Sequence, residues 1–226
     1  MTVTTIFFST VNVFKSGYMF DLSKIKAILF DLDGVLVNMP EGHYEALNRA
    51  LAHFGAMIEK EEHVSYFNGL PTRKKVDELV RRGRLPDGLR EVINSVKQKY
   101  TKEIIPKYCV PDYSKIILLK HLRQANYKLA CCSNSVRETL HLMLKSAQLF
   151  DHLDFIIGND EVSKSKPDPE IYFRTFEIMG LAPEEALIVE DAPHGIAAAK
   201  ASGGIVYEVR GVHDVNLNLF KDILNI

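Results

Sequence analysis

Asp31 and Asp33 stand two residues apart, with Gly34 directly behind them, at the end of the apolar run Ile25-Lys-Ala-Ile-Leu-Phe30. Carboxylates held that close repel each other unless a cation or a shared proton intervenes. With a metal between them, one acid can attack an electrophile while the other moves protons. Gly34 permits a sharp turn that brings backbone N–H groups up to a bound group. The same three residues also suit a plain Asp/Gly turn after a strand, and alone they do not decide between the two.

Three further polar groups follow apolar runs or open helices. Ser133-Asn134-Ser135 comes after Tyr127-Lys-Leu-Ala-Cys-Cys132; a hydroxyl beside helix-initiating N–H groups suits a phosphate oxygen. Ser133 is read as that contact and Ser135 as an ordinary helix N-cap. In Lys166-Pro-Asp-Pro169 the two prolines stiffen the chain and fix Lys166, a point charge able to neutralise carboxylates and grip a phosphate. Nothing comparable immobilises Lys164, which reads as a solvated surface residue. Glu190-Asp191 ends the run Leu187-Ile-Val189 and precedes Pro193-His-Gly195. Oxygen ligands from Asp31, Asp191 and a carbonyl near Asp33, with Glu190 direct or through water, would suit octahedral Mg²⁺. Alternatively, Glu190 and Asp191 simply complement the dipole of the helix that follows. Together these groups are the parts of phosphoryl transfer: an oxygen nucleophile, a metal and fixed positive groups.

Alternating strands and helices must position them. Strands are expected ending at Phe30 and over 127–132, 155–157, 186–189 and 205–209. Helices are expected over 41–54, 73–82 with Thr72 as N-cap, 87–105 stopping before Pro106, and through 124 with Ser114 as N-cap. Further helices are expected over 136–145 behind Ser135, 168–179, and from Pro193 at N1 through 201. From Asn38 to about Val110 the pattern holds helices and loops without a persuasive strand. The fold class is therefore α/β: a parallel sheet with helices on both faces, carrying a helical insert between two of its strands. The expected division is an N-terminal extension over 1–20, a core of 21–37 and 111–226, and a helical insert of 38–110. Residues 1–20 lack the basic start and small-residue cleavage site of a signal peptide, and Met19 is expected as the natural start.

The 226 residues suffice for one good core and a smaller module. A net charge of -1 gives no global field toward nucleic acid or an anionic membrane, so neither is expected as a partner. Cys109, Cys131 and Cys132 form no zinc pattern, and their odd number argues against a disulfide framework. The adjacent pair reads as small buried hydrophobes in a reducing, cytoplasmic compartment.

Taken in order, Asp31-Leu-Asp33-Gly-Val-Leu, Ser133-Asn134, Lys166-Pro, and Glu190-Asp191 with Gly195-Ile-Ala-Ala-Ala resemble the four motifs of the haloacid dehalogenase superfamily. The likeness is to its sugar-phosphatase and β-phosphoglucomutase-like branch, spans about residues 24–210, and implies a Rossmann-like α/β core with an inserted α-helical cap domain over 38–110. The resemblance implies Asp31 as nucleophile forming an aspartyl-phosphate, and Asp33 as general acid and then base. It implies Ser133 and Lys166 as phosphoryl ligands, with Mg²⁺ on Asp31, the Asp33 carbonyl and Asp191, supported by Glu190. Gly34 and Asn134 would lie on the substrate. Gly69-Leu-Pro-Thr72-Arg73 looks like the branch's specificity loop, where Arg73 would meet a second anionic group, and His43 matches a hinge histidine of sugar-phosphate members. Dehalogenases lack an acid equivalent to Asp33, so the resemblance implies a Mg²⁺-dependent phosphatase of a small phosphorylated metabolite, such as a sugar phosphate. A β-phosphoglucomutase-type mutase is the alternative, although Val136 and Met39 depart from its polar pattern. A non-catalytic binding domain is a third reading, against which the intact acids and lysine stand. The expected assembly is a monomer or weak homodimer.

Overall fold

The computed structural model describes residues 14–15, 18–19, 22–67, 70 and 72–224. Strands β1 (Phe14–Lys15) and β2 (Tyr18–Met19) form a small antiparallel ribbon separate from the main sheet. The rest of the stretch expected as an extension, within residues 1–20, lies outside the described residues.

The main sheet is parallel. Its strands β3 (Ala27–Phe30), β4 (Lys128–Cys132), β5 (Phe155–Ile157), β6 (Ala186–Glu190) and β7 (Ile205–Glu208) lie in the order β5-β4-β3-β6-β7. Every residue of β3 and β6 is buried, as strands covered by helices on both faces require. The two-residue pleat of β3 sends Ile28 and Phe30 to one face and Ala27 and Leu29 to the other, and each set joins a separate core. Phe30 pairs with Cys131 on one side and Val189 on the other, so Asp31 emerges beside the ends of β4 and β6.

Between β3 and β4 the chain forms α1 (Pro40–Ala52), the short α2 (Lys60–Glu62) continued as a π turn (His63–Phe67), α3 (Thr72–Arg81), α4 (Arg90–Tyr108) and α5 (Tyr113–Gln124). Leu47, Leu51, Val76, Leu79 and Ile93 bury one another in a core of their own. Ala46, Ile104 and Ile105 instead pack with the sheet's α5-side core, so α1 and α4 carry the insert down onto the sheet. After β4 come α6 (Arg137–Ser146), α7 (Glu170–Met179), α8 (Pro193–Ala201) and α9 (Leu217–Leu224). Among the described residues no helix is long and apolar enough to cross a membrane.

Several expected boundaries are corrected. Pro106 does not end α4; it lies inside the last turn. Its missing N–H is tolerated there because the Cys109 N–H closes on the Ile105 carbonyl (2.8 Å) and Glu45 of α1 holds Lys107 (2.6 Å) and Tyr108 (2.8 Å). Asp112, not Ser114, caps α5, accepting from both the N–H and the hydroxyl of Ser114. Thr72 is the first residue of α3 rather than its cap, and α7 starts at Glu170, whose N–H donates to Asp168 (3.1 Å). Ser135 does not cap α6: that helix opens at Arg137, whose N–H donates to Asp160 Oδ1 at 2.7 Å across 23 residues. The helix α9 escaped the sequence reading; it buries Phe220 and Ile223, with Phe220 5.9 Å from the ring of Phe30.

Candidate active site

The carboxyl edge of β3, β4 and β6 gathers the charged residues. Buried Lys166, only 4% exposed, donates from Nζ to Asp31 Oδ1 (2.7 Å), Glu190 Oε1 (2.5 Å) and the Cys132 carbonyl (2.7 Å). One ammonium thus uses its three donors to join the ends of all three central strands. Burial alone would pull its pKa down; the charges of Asp31, Tyr172 and Glu190 override that and hold it well above the ordinary value.

Asn134 fixes the backbone behind this lysine. Its Oδ1 accepts from the Lys166 N–H (3.0 Å) and its Nδ2 donates to the Lys166 carbonyl (3.4 Å). The Asn134 amide therefore holds the lysine segment. Ser133 is also buried, its Oγ accepting from the Ser135 N–H at 3.1 Å. Lys164 is solvent-facing, as its sequence suggests, with Asp168 3.7 Å away.

Asp31, Glu190 and Asp191 each bring a carboxylate oxygen within 4.8 Å of the others. Burial pushes the Asp31 carboxyl up, Lys166 opposes this and Glu190 adds to it, leaving it at about 8. Burial and then Glu190 raise Asp191 to about 6. Two raised carboxyls beside a third buried acid call for further positive charge. Glu190 Oε2 and Asp191 Oδ1 are buried without a hydrogen-bond partner among the described residues. An all-oxygen donor set with unsatisfied carboxylate oxygens fits a hard cation such as Mg²⁺.

Two glycines make room for this arrangement. A Cβ on Gly34, which has φ +82, would run into the Asp191 carboxylate, and a Cβ on Gly195 would run into that of Glu190.

Asp33 turns its side chain the other way, toward the insert. Its Oδ2 lies 3.0 Å from Nε2 of His43, near the start of α1, while its Oδ1 is buried and unpartnered. The structure thus brings His43 to Asp33. It does not bring Arg73 to the acids: that side chain is 65% exposed on α3 and pairs with Glu91 at 3.4 Å. Gly69 and Pro71 of the expected specificity loop lie outside the described residues.

One member of the site escaped the sequence reading. Tyr172 of α7 is fully buried and donates its hydroxyl to Glu190 Oε1 at 2.6 Å. The sequence offers only an aromatic at a core-facing helical position, and the hydroxyl's acceptor lies 18 residues away. The neighbouring thiols are inert: burial pushes Cys132 up to about 12 and Cys131 well above its ordinary value.

Residues 28–209 match the family of haloacid dehalogenase-like hydrolases. A phosphoglycolate phosphatase of Aquifex aeolicus is 31% identical over 179 residues, covering 79% of this chain and 82% of that protein. A phosphorylated carbohydrates phosphatase of Thermotoga maritima is 26% identical over 193 residues, covering 85% and 88%. Among solved structures, a CbbY variant of Rhodobacter sphaeroides in complex with xylulose-(1,5)bisphosphate superposes with a TM-score of 0.74 at 23% identity, covering 84% of this chain and 88% of that one.

Proposed function

The chain is a phosphatase of the haloacid dehalogenase-like hydrolase family, and on that premise we propose that it hydrolyses a small phosphorylated metabolite, of the sugar-phosphate kind, through an aspartyl-phosphate on Asp31. The observation that carries this reading is the placement of Asp31. Its Oδ1 is held by Lys166, and its carboxylate belongs to a three-acid group suited to Mg²⁺.

An Asp31 oxygen attacks phosphorus, and the bond to the leaving oxygen breaks as Asp33 gives that oxygen a proton. Asp33 then takes a proton from water, whose oxygen attacks the same phosphorus and releases phosphate from Asp31. His43 orients Asp33 through its 3.0 Å contact, which leaves the second carboxylate oxygen for the proton. The Ser133 hydroxyl and Lys166 receive phosphoryl oxygens. Asp31, Asp191 and the Asp33 carbonyl would hold Mg²⁺ with Glu190 in support, and the ion supplies charge neutralisation for the phosphoryl group when bound.

In this reading residues 38–110 act as a cap over a core of 21–37 and 111–226, and the three free, buried cysteines suit a cytoplasmic setting. Met39 is fully buried against Cys109, and Val136 is the N-cap of α6. Neither supplies the polar contact a mutase needs to hold a sugar intermediate, which supports hydrolysis over a β-phosphoglucomutase activity.

The test is phosphate release from p-nitrophenyl phosphate, sugar phosphates and phosphoglycolate in Mg²⁺. Turnover is expected, removable by EDTA and reduced at least ~10³-fold in Asp31→Asn. No turnover on any ester, or retained turnover in the variant, would refute it. Conversion of β-glucose 1-phosphate into glucose 6-phosphate would identify a mutase. Mg²⁺-dependent vanadate binding without hydrolysis would identify a binding domain.

A further inference from the structure

Two hydrogen bonds reach the Glu190 carboxylate, and both arrive at the same oxygen. Lys166 Nζ donates to Oε1 at 2.5 Å, and the Tyr172 hydroxyl donates to Oε1 at 2.6 Å. Oε2 belongs to a residue with 0% exposure, yet it takes no hydrogen bond from any described residue. Two donors divided between the two oxygens would satisfy both. Crowding them onto one leaves the other bare, at the cost of a buried, unmet acceptor. A cation ligand needs that asymmetry, since the bare oxygen is the one a metal or its water can use.

Lys166 alone does not create it. The torsion that exchanges the two carboxylate oxygens is broad and roughly two-fold, so a single ammonium donor is served equally well by either. A second donor, fixed on another element, removes that freedom. Tyr172 is such a donor. It lies on α7, packed in the core that holds Leu29, Ile188 and Ala198, with its ring centroid 5.1 Å from Lys166 Nζ. The carboxylate has little slack in which to turn, because Gly195 approaches it closely enough to exclude a Cβ.

We propose that the Tyr172 hydroxyl is a positioning group for the cation site: sharing Oε1 with Lys166, it fixes the twist of Glu190 and reserves Oε2 for the ion or for a water bound to it. Tyr172 acts only through Glu190. The inference rests on the reading of Asp31, Glu190 and Asp191 as a Mg²⁺ site and is independent of which ester is hydrolysed.

Tyr172→Phe keeps the ring and its place beside Lys166 and removes only the hydroxyl. Metal-free, full-length protein is titrated with Mg²⁺ by calorimetry, and with Mn²⁺ by the electron paramagnetic resonance of the free ion. The variant should bind each cation about 10–100-fold more weakly than the wild type, the range for losing a group that orients a metal ligand. Thr175→Val is the control on the same helix. It removes a buried hydroxyl whose partners are the Ile171 carbonyl (2.7 Å) and the Cys132 thiol (3.4 Å), not an acid, and should leave both affinities unchanged.

Wild-type affinity retained in Tyr172→Phe overturns the proposal. Equal weakening in both variants also overturns it, by marking a loosened α7 rather than a positioned carboxylate. A wild type that binds neither cation overturns the cation reading, and this inference with it. Glu190→Gln supplies a second route. With two donors on Oε1 the amide oxygen stays there, the amide N–H₂ replaces Oε2, and Mg²⁺ binding should fall at least about tenfold. Adding Tyr172→Phe to Glu190→Gln should then cost less than it does alone, whereas full additivity counts against the proposal. Should Tyr172→Phe not fold, Glu190→Gln decides: weakened binding supports the assignment of Oε2, and retained binding overturns it.

Discussion

Lysine is buried at two places in this molecule, and the two places treat it in opposite ways. At the carboxyl edge of the sheet, Lys166 is surrounded by Asp31, Glu190 and the Cys132 carbonyl, with the Tyr172 ring centroid 5.1 Å away, and its charge is locked on. In the insert, Lys75 and Lys97 are nearly as buried and are both pushed down, burial being the larger cause for each. Depth is nearly the same, so depth cannot explain the difference. What differs is whether the chain supplies its own counter-charge. The sheet edge pairs its lysine before any substrate arrives, which suits a constellation that must already have its transition-state geometry.

The largest effect on stability should come from breaking the balanced place. Lys166→Met leaves Asp31 and Glu190 buried side by side without their cation. Removing one partner of a buried set costs about 3–5 kcal/mol, or a Tm lower by roughly 8–15 °C in a chain of this size. Urea and thermal unfolding without added Mg²⁺ check this. A Lys166→Met protein as stable as the wild type would abolish the contrast with the insert, where the same substitution at Lys97 is expected to cost nothing.

The sequence carried the two halves of this contrast unequally. Asp31, Lys166 and Glu190 were legible because each lies at a strand end or directly ahead of a proline pair, and local pattern is enough to find such places. The sheet was legible for the same reason, since β3 and β6 are continuous apolar runs. Lys75 and Lys97 were not: each lies in a helix rich in charged residues, and which charge turns inward depends on how α3 meets α4. The helix ends that were misread share that cause. Asp160 caps α6 from 23 residues away, and Glu45 of α1 steadies the turn containing Pro106, so neighbours in sequence could not report either. Tyr172 reaches Glu190 by the same kind of long-range contact.

A smaller effect sharpens what balanced means at the sheet edge. Gly195→Ala adds one carbon where the Glu190 carboxylate already sits. That carboxylate is tied to Lys166 and Tyr172 through Oε1, so it cannot step aside without loosening both. Overpacking of this kind costs about 1–3 kcal/mol, read from urea unfolding at constant m-value. The variant should also need more Mg²⁺ for half-maximal phosphate release. A loss under about 0.5 kcal/mol with an unchanged Mg²⁺ requirement would mean that the edge is softer than its hydrogen bonds imply.

The smallest expected effect tests the insert through pH. Burial, with the charge of Lys75 adding to it, lowers His63 from the ordinary 6.5 to about 4. Between those values the unfolded chain holds a proton on this residue that the folded chain does not. Stability is therefore fully present above pH 6.5 and is lost as pH falls toward 4. The whole interval corresponds to about 3 kcal/mol, of which roughly 2 would be gone by pH 4.5. Carboxylates elsewhere also titrate there, so the informative quantity is a difference. His63→Gln, neutral at every pH, should lose about 1–2 kcal/mol less than the wild type between pH 7 and pH 4.5 in urea unfolding. Lys75→Met should show part of the same relief, because it removes the charge that helps hold His63 neutral. Equal losses in all three proteins would mean that the insert's charges do not sense one another, and the contrast with the sheet edge would then rest on Lys166 alone.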